Sequence, residues 1–464
     1  MAKPSTIREL RDSGYAPRTV KQELRDNLIA RIRRGEGLFT GIVGYEQTVV
    51  PQIENAVLSG QDIVFLGERG QAKTRMARLL VGLLDEEMPA LAGCEISDEP
   101  FAPICSACRQ RVAEQGDRAP IAWIPRDRRY GEKLATPDIT IADLIGEVDP
   151  IKVAEGRYLA DELTIHYGLL PRTNRGIFAL NELPDLAERI QVGLLNIMEE
   201  RDVQIRGYKV RLPIDLYVVA SANPEDYTNR GRIITPLKDR FGSQVRTHYP
   251  RRVDDEIAIM EAERTTYADA GLETKSPEFM KQLVAEVTHL ARRSPEISQR
   301  SGVSVRVTIC NYENLLSSAF KRALRLGEAV AVPRVSDLGA INASTGGKIE
   351  LESLGESTED KVLAKIMQRA LLNVFNRSFG SGELDEVVGA FQDGLKIEVS
   401  DTMPSEAYLR HLGQVRPLQT AVRKLGAQDP ATVAAAVEFV LEGLHLSKKL
   451  NKDVQAGQAR YRVA

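Results

Sequence analysis

The chain has 464 residues, room for two or three domains, and at 43% hydrophobic content it can bury large cores. A formal charge of −3 gives no overall pull toward nucleic acid or anionic membrane, and four cysteines over this length argue against a disulfide scaffold. No apolar run approaches the ~20 residues of a membrane span, and Met1-Ala2-Lys3-Pro4-Ser5 is polar, so a cytoplasmic protein is expected.

Residues 1–35 read as a basic helical N-terminal extension, with a helix from Val20 to Arg34. Residues 36–250 alternate short apolar strands with helices. The strand candidates are residues 62–66, 121–124, 176–180, 216–220 and 244–247. Alternation of this kind predicts a doubly wound parallel sheet. Residues 251–330 carry helical periodicity over 254–267 and 277–293 and read as a helical lid domain. Residues 331–464 read as a mainly helical C-terminal domain, strongest at 360–377 and 431–449, with 395–399 either a helix end or a strand.

The most telling segment is Gly67-Glu68-Arg69-Gly70-Gln71-Ala72-Lys73-Thr74. It follows an apolar strand and opens a helical pattern at Arg75. Glycines let backbone N–H groups turn inward toward an anion, and the helix N-terminus adds partial positive charge. Lys73 would reach the β- and γ-phosphates, and Thr74 would hold Mg²⁺. A P-loop usually has Gly where this chain has Ala72, which is tolerable if the local φ is negative. A plain glycine turn between strand and helix is the alternative.

An ATPase also needs acidic groups at the tip of a second strand. Gly176-Ile177-Phe178-Ala179-Leu180-Asn181-Glu182 is the candidate, with Glu182 polarising water near the γ-phosphate. Asn181 stands where Asp is usual. It can bond a metal-bound water but brings no charge, so weaker Mg²⁺ binding, slower hydrolysis or a carboxylate from elsewhere is expected. The strand before Asn223 suits that amide to position the nucleophilic water. Arg240, in Thr235-Pro236-Leu237-Lys238-Asp239-Arg240-Phe241, could act on a neighbouring subunit's γ-phosphate or simply pair with Asp239 or another acid. Arg306, opening a helix, could touch phosphate from the lid side or be an ordinary surface arginine.

Taken in order, these segments resemble the AAA+ superfamily, and within it the clade of the magnesium-chelatase I subunit and the MoxR-like ATPases. Phe39-Thr40-Gly41-Ile42-Val43-Gly44-Tyr45-Glu46 resembles that clade's opening motif, which borders the adenine pocket. The stretch from His166-Tyr167-Gly168-Leu169-Leu170 to Glu182 resembles the approach to Walker B, and residues 205–213 look like the hairpin inserted before sensor 1. The resemblance implies an α/β P-loop AAA+ domain followed by a helical lid and a mainly helical C-terminal extension. ATP and Mg²⁺ would be the cofactors, bound by Ile42, Val43, residues Gly67 through Thr74 and Arg75, with Thr74, Asn181 and Glu182 at the metal. Asn223 would be sensor 1, Arg240 the arginine finger and Arg306 sensor 2. It further implies a homo-oligomeric ring, a hexamer by family habit, and a partner protein with a von Willebrand A domain.

The leading expectation is therefore a ring ATPase that remodels a client. Its rivals are the motor of a metal chelatase, an ATP-gated assembly platform with little hydrolysis, and a sigma-factor-interacting transcription activator. Such activators carry Gly-Ala-Phe-Thr-Gly-Ala after the P-loop, whereas Phe39-Thr40-Gly41 precedes it here. Cys105-x-x-Cys108 has zinc-knuckle spacing, but a structural site needs four ligands and no histidine or second pair lies nearby. Cys94, Cys105 and Cys108 are therefore expected to be plain buried or surface thiols, with a zinc or redox role as the alternative. Trp123 reads as core, and Arg126, Arg128 and Arg129 as a solvated face or the lining of a ring pore.

Overall fold

The computed structural model describes residues 3–148, 164–200, 202–204, 211–223, 232–267, 271–298, 302–352, 358–392, 394–455 and 458–463. The chain forms two compact units, Met1–His248 and Tyr249–Ala464. The sequence boundaries at 35/36 and 330/331 do not separate units of their own. The N-terminal helices pack within the first unit, and residues on either side of 330 share one core in the second. Among the described residues no helix is long and apolar enough to cross a membrane.

The principal strands of the first unit are β1 (Ile63–Leu66), β2 (Glu87–Leu91), β3 (Ile121–Pro125), β4 (Tyr130–Leu134), β5 (Gly176–Asn181), β6 (Leu216–Ala222) and β7 (Ser243–Arg246); short antiparallel pairs, 146–148 with 165–167 and 202–204 with 211–213, lie apart from them. Five of them form one parallel sheet in the order β7-β1-β6-β5-β4. The α/β P-loop fold expected from the sequence is present. β1, β5 and β6 are buried at every position, as parallel strands covered on both faces must be. Alternate residues feed opposite layers. Ile63, Phe65, Ile177, Ala179, Tyr217 and Val219 enter one core, while Val64, Leu66, Phe178, Leu180, Val218 and Ala220 enter the other.

One strand candidate is corrected. Residues 121–124 do form a strand, but β3 pairs antiparallel with β2, outside the main sheet. The fifth strand is β4, Tyr-Gly-Glu-Lys-Leu, whose mixed polarity hides it because it lies at the sheet's edge. The inserted hairpin expected at 205–213 falls largely outside the described residues, apart from the pairing of 202–204 with 211–213.

The N-terminal extension holds α1 (Ile7–Asp12) and α2 (Val20–Arg33), followed by α3 (Val50–Leu58). A Thr19/Gln22 capping box starts α2, and Val20, Leu24 and Leu28 enter the core above the sheet. Glu23 on the same face meets Arg129 at 2.7 and 2.5 Å, and both are buried. The expected solvated or pore-lining role for Arg129 is thus overturned, while Arg128 is exposed. Trp123 is half-buried, with its indole N–H on the Pro4 carbonyl at 2.9 Å.

The second unit is built around the helix Pro430–Leu446, buried on nearly all sides as its apolar composition requires. Helices Glu278–Ala291, Glu359–Ser378 and Ser405–Gln414 surround it. Residues 395–399 resolve to a strand, Ile397–Ser400, in an antiparallel sheet with Gln458–Arg462 and Asn451–Gln455. Beside helix Val305–Leu326, buried Glu256 accepts from Arg292 at 2.7 Å and from Thr308 at 2.5 Å. Burial works to raise its pKa, but His289, Arg292 and Thr308 outweigh that and hold it at about 2.

Candidate functional site

Parallel pairing brings the carboxyl ends of β1, β6 and β5 side by side, where open α/β sheets hold their ligands. Gly67 follows β1, Asn223 follows β6, and Asn181 ends β5 with Glu182 next. The Gly67–Thr74 segment then enters α4 (Lys73–Leu79). A Cβ on Gly67 would sit 1.9 Å from the Thr247 hydroxyl oxygen, so the backbone must approach that closely. Gly70 has φ +74°. The Lys73 ammonium folds back onto the Gly67 carbonyl and onto the Glu68 carbonyl at 2.8 Å. Glu68, Gln71 and Gly67 border a cleft of about 430 Å³ that is also lined by Lys238, Arg246 and Thr247.

Ala72 does not meet the condition of a negative φ. It lies in the left-handed region, at φ +57° and ψ +16°. That geometry costs an L-residue roughly 1–2 kcal/mol and a glycine little. Ala72→Gly should therefore raise the unfolding free energy by about 1 kcal/mol. Urea denaturation of the full chain reads this directly, and an unchanged or lower midpoint would count against strain at Ala72.

The opening motif reaches the loop through Tyr45, whose hydroxyl donates to the Gln71 carbonyl at 3.1 Å and to the His248 carbonyl at 2.7 Å. Burial pushes that phenol up to about 12, keeping it a neutral donor. Ile42 and Val43 are half-buried, and Ile42 packs on the core. A Cβ on Gly41 would lie 3.1 Å from an Arg75 guanidinium nitrogen, so motif and helix start are neighbours. Arg69 and Arg75 are exposed.

The centre of the arrangement is Asn181, which is 9% exposed. Its Oδ1 accepts from the Thr74 and Ser221 hydroxyls, each at 3.3 Å. Its Nδ2 donates to Glu132 Oε1 at 2.7 Å. A carboxylate only accepts, so Glu132 fixes which end of the amide faces Thr74. Glu132, on β4, is the residue that sequence reasoning missed. Partial burial works to raise its pKa, but a bidentate pair with Arg78 at 2.7 and 3.0 Å outweighs this and leaves it below the usual carboxylate range. The signal available was the departure at Asn181, which called for a carboxylate from elsewhere.

Glu182 is half-buried, in the left-handed region at φ +55°, with its N–H on Ser221 Oγ at 3.2 Å. Asn223 is 4% exposed, and its Oδ1 has no hydrogen-bond partner among the described residues. Arg240, in α-helix Thr235–Arg240, takes the alternative named above, an ion pair: its Nε donates to Glu199 at 3.0 Å. Arg306 belongs to the second unit, exposed in the first turn of Val305–Leu326.

Residues 155–240 match the family model described as the Sigma-54 interaction domain. Among curated proteins, the acetoin dehydrogenase operon transcriptional activator AcoR of Bacillus subtilis (strain 168) is 24% identical over 173 residues, 37% of this chain and 28% of that protein. The Sigma54-dependent transcriptional activator SfnR of Pseudomonas putida is 29% identical over 181 residues, 35% of this chain and 49% of that one. The chain thus spans about half or less of the length of these relatives. Among solved structures, NtrX from Brucella abortus gives a TM-score of 0.44 at 17% identity, over 78% of this chain and 69% of that one. The complex of the magnesium chelatase subunits BchI and BchD, based on cryo-EM, gives 0.35 at 21%, over 72% and 94%. Neither likeness is close enough to transfer a role to this chain. The fold beneath the site is an α/β P-loop fold, a five-stranded parallel sheet with the glycine loop at its carboxyl edge.

Proposed function

We propose that this chain is an AAA+ ATPase of the chelatase-I/MoxR-like kind, which binds Mg-ATP in a homo-oligomeric ring and uses hydrolysis to remodel or activate a partner protein. The observation that carries this reading is the meeting of Thr74, Asn181 with Glu132, Glu182 and Asn223 at the carboxyl edge of adjacent parallel strands. The P-loop N–H groups bind phosphate, and Lys73 exchanges its loop carbonyls for phosphate oxygens. The oxygen-rich set of Thr74 and Asn181 suits a hard cation. Mg²⁺, when bound, supplies positive charge against the phosphates. Glu182 takes the proton from the attacking water, and Asn223 orients that water with its amide oxygen, which has no hydrogen-bond partner among the described residues. Arg240 is reserved for a neighbouring subunit, once released from Glu199. The ring, the hexameric count and a von Willebrand A partner rest on the sequence motifs alone. The motor of a metal chelatase and an ATP-gated assembly platform with little hydrolysis are the alternatives to this reading.

The test is steady-state, Mg²⁺-dependent ATP hydrolysis by the full chain, compared with Lys73→Ala. Turnover abolished by Lys73→Ala supports the reading. ATP binding and assembly without turnover would move it to the platform.

Glu132 restores the charge that Asn181 lacks. Glu132→Gln is expected to raise the Mg²⁺ concentration for half-maximal activity by about 10–100-fold. Asn181→Asp alone would set two carboxylates within about 3 Å and impair activity, whereas the pair Asn181→Asp with Glu132→Gln should recover it. A magnesium titration of the three variants decides this, and full activity of Asn181→Asp alone would remove Glu132 from the site.

A second reading, a sigma-54-dependent activator, is favoured by the family match over 155–240 and by the two activators above. ATP-dependent open-complex formation by sigma-54 RNA polymerase in the presence of this chain would establish it in place of the first.

A further inference from the structure

Between β2 and β3, well away from the nucleotide edge in sequence, the fold gathers three thiols and a carboxylate. The ligand atoms of Cys94, Asp98, Cys105 and Cys108 all lie within 4.8 Å of one another. The segment folds to bring them there. Residues 94–98 form a turn whose Asp98 N–H donates to Cys94 Sγ at 3.4 Å, and Ser97 takes the left-handed region at φ +51°. Cys105 then caps α5 (Ser106–Gln115), its sulfur accepting the Cys108 N–H at 3.4 Å. Backbone N–H groups aimed at two sulfurs suit thiolate rather than thiol. Asp98, Cys105 and Cys108 are buried, and all three cysteines are free.

Asp98 is the independent observation. It is 0% exposed; one oxygen accepts the Cys105 N–H at 3.0 Å, and the other has no hydrogen-bond partner among the described residues. A buried carboxylate oxygen left without a donor costs free energy unless something positive meets it. A disulfide between two of the thiols would leave both the third sulfur and this oxygen unanswered.

We propose that Cys94, Asp98, Cys105 and Cys108 bind one structural zinc ion. A tetrahedron with sulfurs about 2.3 Å from zinc has edges of about 3.8 Å, a small contraction from the spacing present. Soft thiolates exclude Mg²⁺ and Ca²⁺, and four protein ligands leave no open position for catalysis. The fourth ligand is neither a histidine nor part of a second cysteine pair, the residues that zinc-knuckle spacing calls for. Here the remaining two come from one turn, as Cys-x-x-x-Asp. The ion fastens the segment between β2 and β3, and with it the N-terminus, since Ile7 N–H bonds to the Ala119 carbonyl at 3.1 Å and Ile121 N–H to the Ser5 carbonyl at 2.9 Å.

Elemental analysis of the full chain, purified with reductant and without added metal, should find about one zinc per chain. Chelation should release it together with three newly reactive thiols, and cobalt exchanged into the site should show the visible bands of tetrahedral thiolate coordination. Asp98→Asn, which keeps shape, should lose zinc to a competing chelator that leaves wild type loaded. Absence of stoichiometric zinc, iron in its place, a Cys94–Cys108 disulfide in the reduced preparation, or full zinc retention by Cys94→Ser/Cys108→Ser would overturn the proposal.

Discussion

Glu182→Gln should bind ATP as tightly as wild type and hydrolyse it about 10²–10⁴-fold more slowly, the usual share of a positioned general base. The substitution keeps the shape of a half-buried side chain and the N–H bond to Ser221, so it removes basicity and little else. Glu182 sits at the end of β5 in a backbone conformation that most residues avoid, and such strain concentrates where a side chain must be aimed. Steady-state hydrolysis and equilibrium nucleotide binding, measured on the same preparations, separate the two effects. Unchanged turnover would take Glu182 out of the chemistry. Equal loss of binding and turnover would make its part structural.

Glu23→Ala should destabilise the first unit by about 3–5 kcal/mol, because it strands the buried guanidinium of Arg129. That guanidinium is 2% exposed, and among the described residues its hydrogen bonds besides those to Glu23 go to the Arg175 carbonyl, at 2.9 and 2.7 Å. Glu23 also accepts the Asp85 N–H at 2.7 Å, so its removal opens a second defect. The double change Glu23→Leu with Arg129→Met should recover most of the loss, since a buried ion pair contributes little net once apolar groups of similar volume replace both partners. Urea denaturation followed by intrinsic fluorescence reads the difference, Trp123 lying in this unit. A single variant as stable as wild type would show that water reaches the pair.

The residues gathered at the carboxyl edge of the sheet are legible in the sequence because they depend on local order. Glycines, lysine and threonine after an apolar strand are contiguous, and so are the runs ending in Asn181–Glu182 and Asn223. Fully buried parallel strands also announce themselves as unbroken apolar runs, as β1, β5 and β6 do, whereas β7, Ser-Gln-Val-Arg with only Val245 buried, gives a much weaker signal. The same criterion misassigned β3, since an apolar run does not reveal which sheet receives it. β4 was missed because an edge strand needs no continuous apolarity, and Glu132 was missed with it. The conformation of Ala72 could not be read, because side-chain size does not report φ. The sequence likewise could not disclose that Glu23 and Arg129, more than a hundred positions apart, would meet in the core. Nor could it show that Asp98 would turn in among the cysteines.

The hydrogen bond that Asn181 donates to Glu132 joins neighbouring strands on the diagonal, with Glu132 opposite Ala179 and Leu134 opposite Asn181. Edge strands are commonly where a sheet accommodates insertions, deletions and drift. A one-residue slip of β4 would turn Glu132 to the opposite face and leave an uncharged amide at the tip of β5. The outermost strand of this domain therefore has little freedom to vary in length, and its lineage should preserve the spacing between Tyr130 and Leu134 more strictly than the identity of most residues within it.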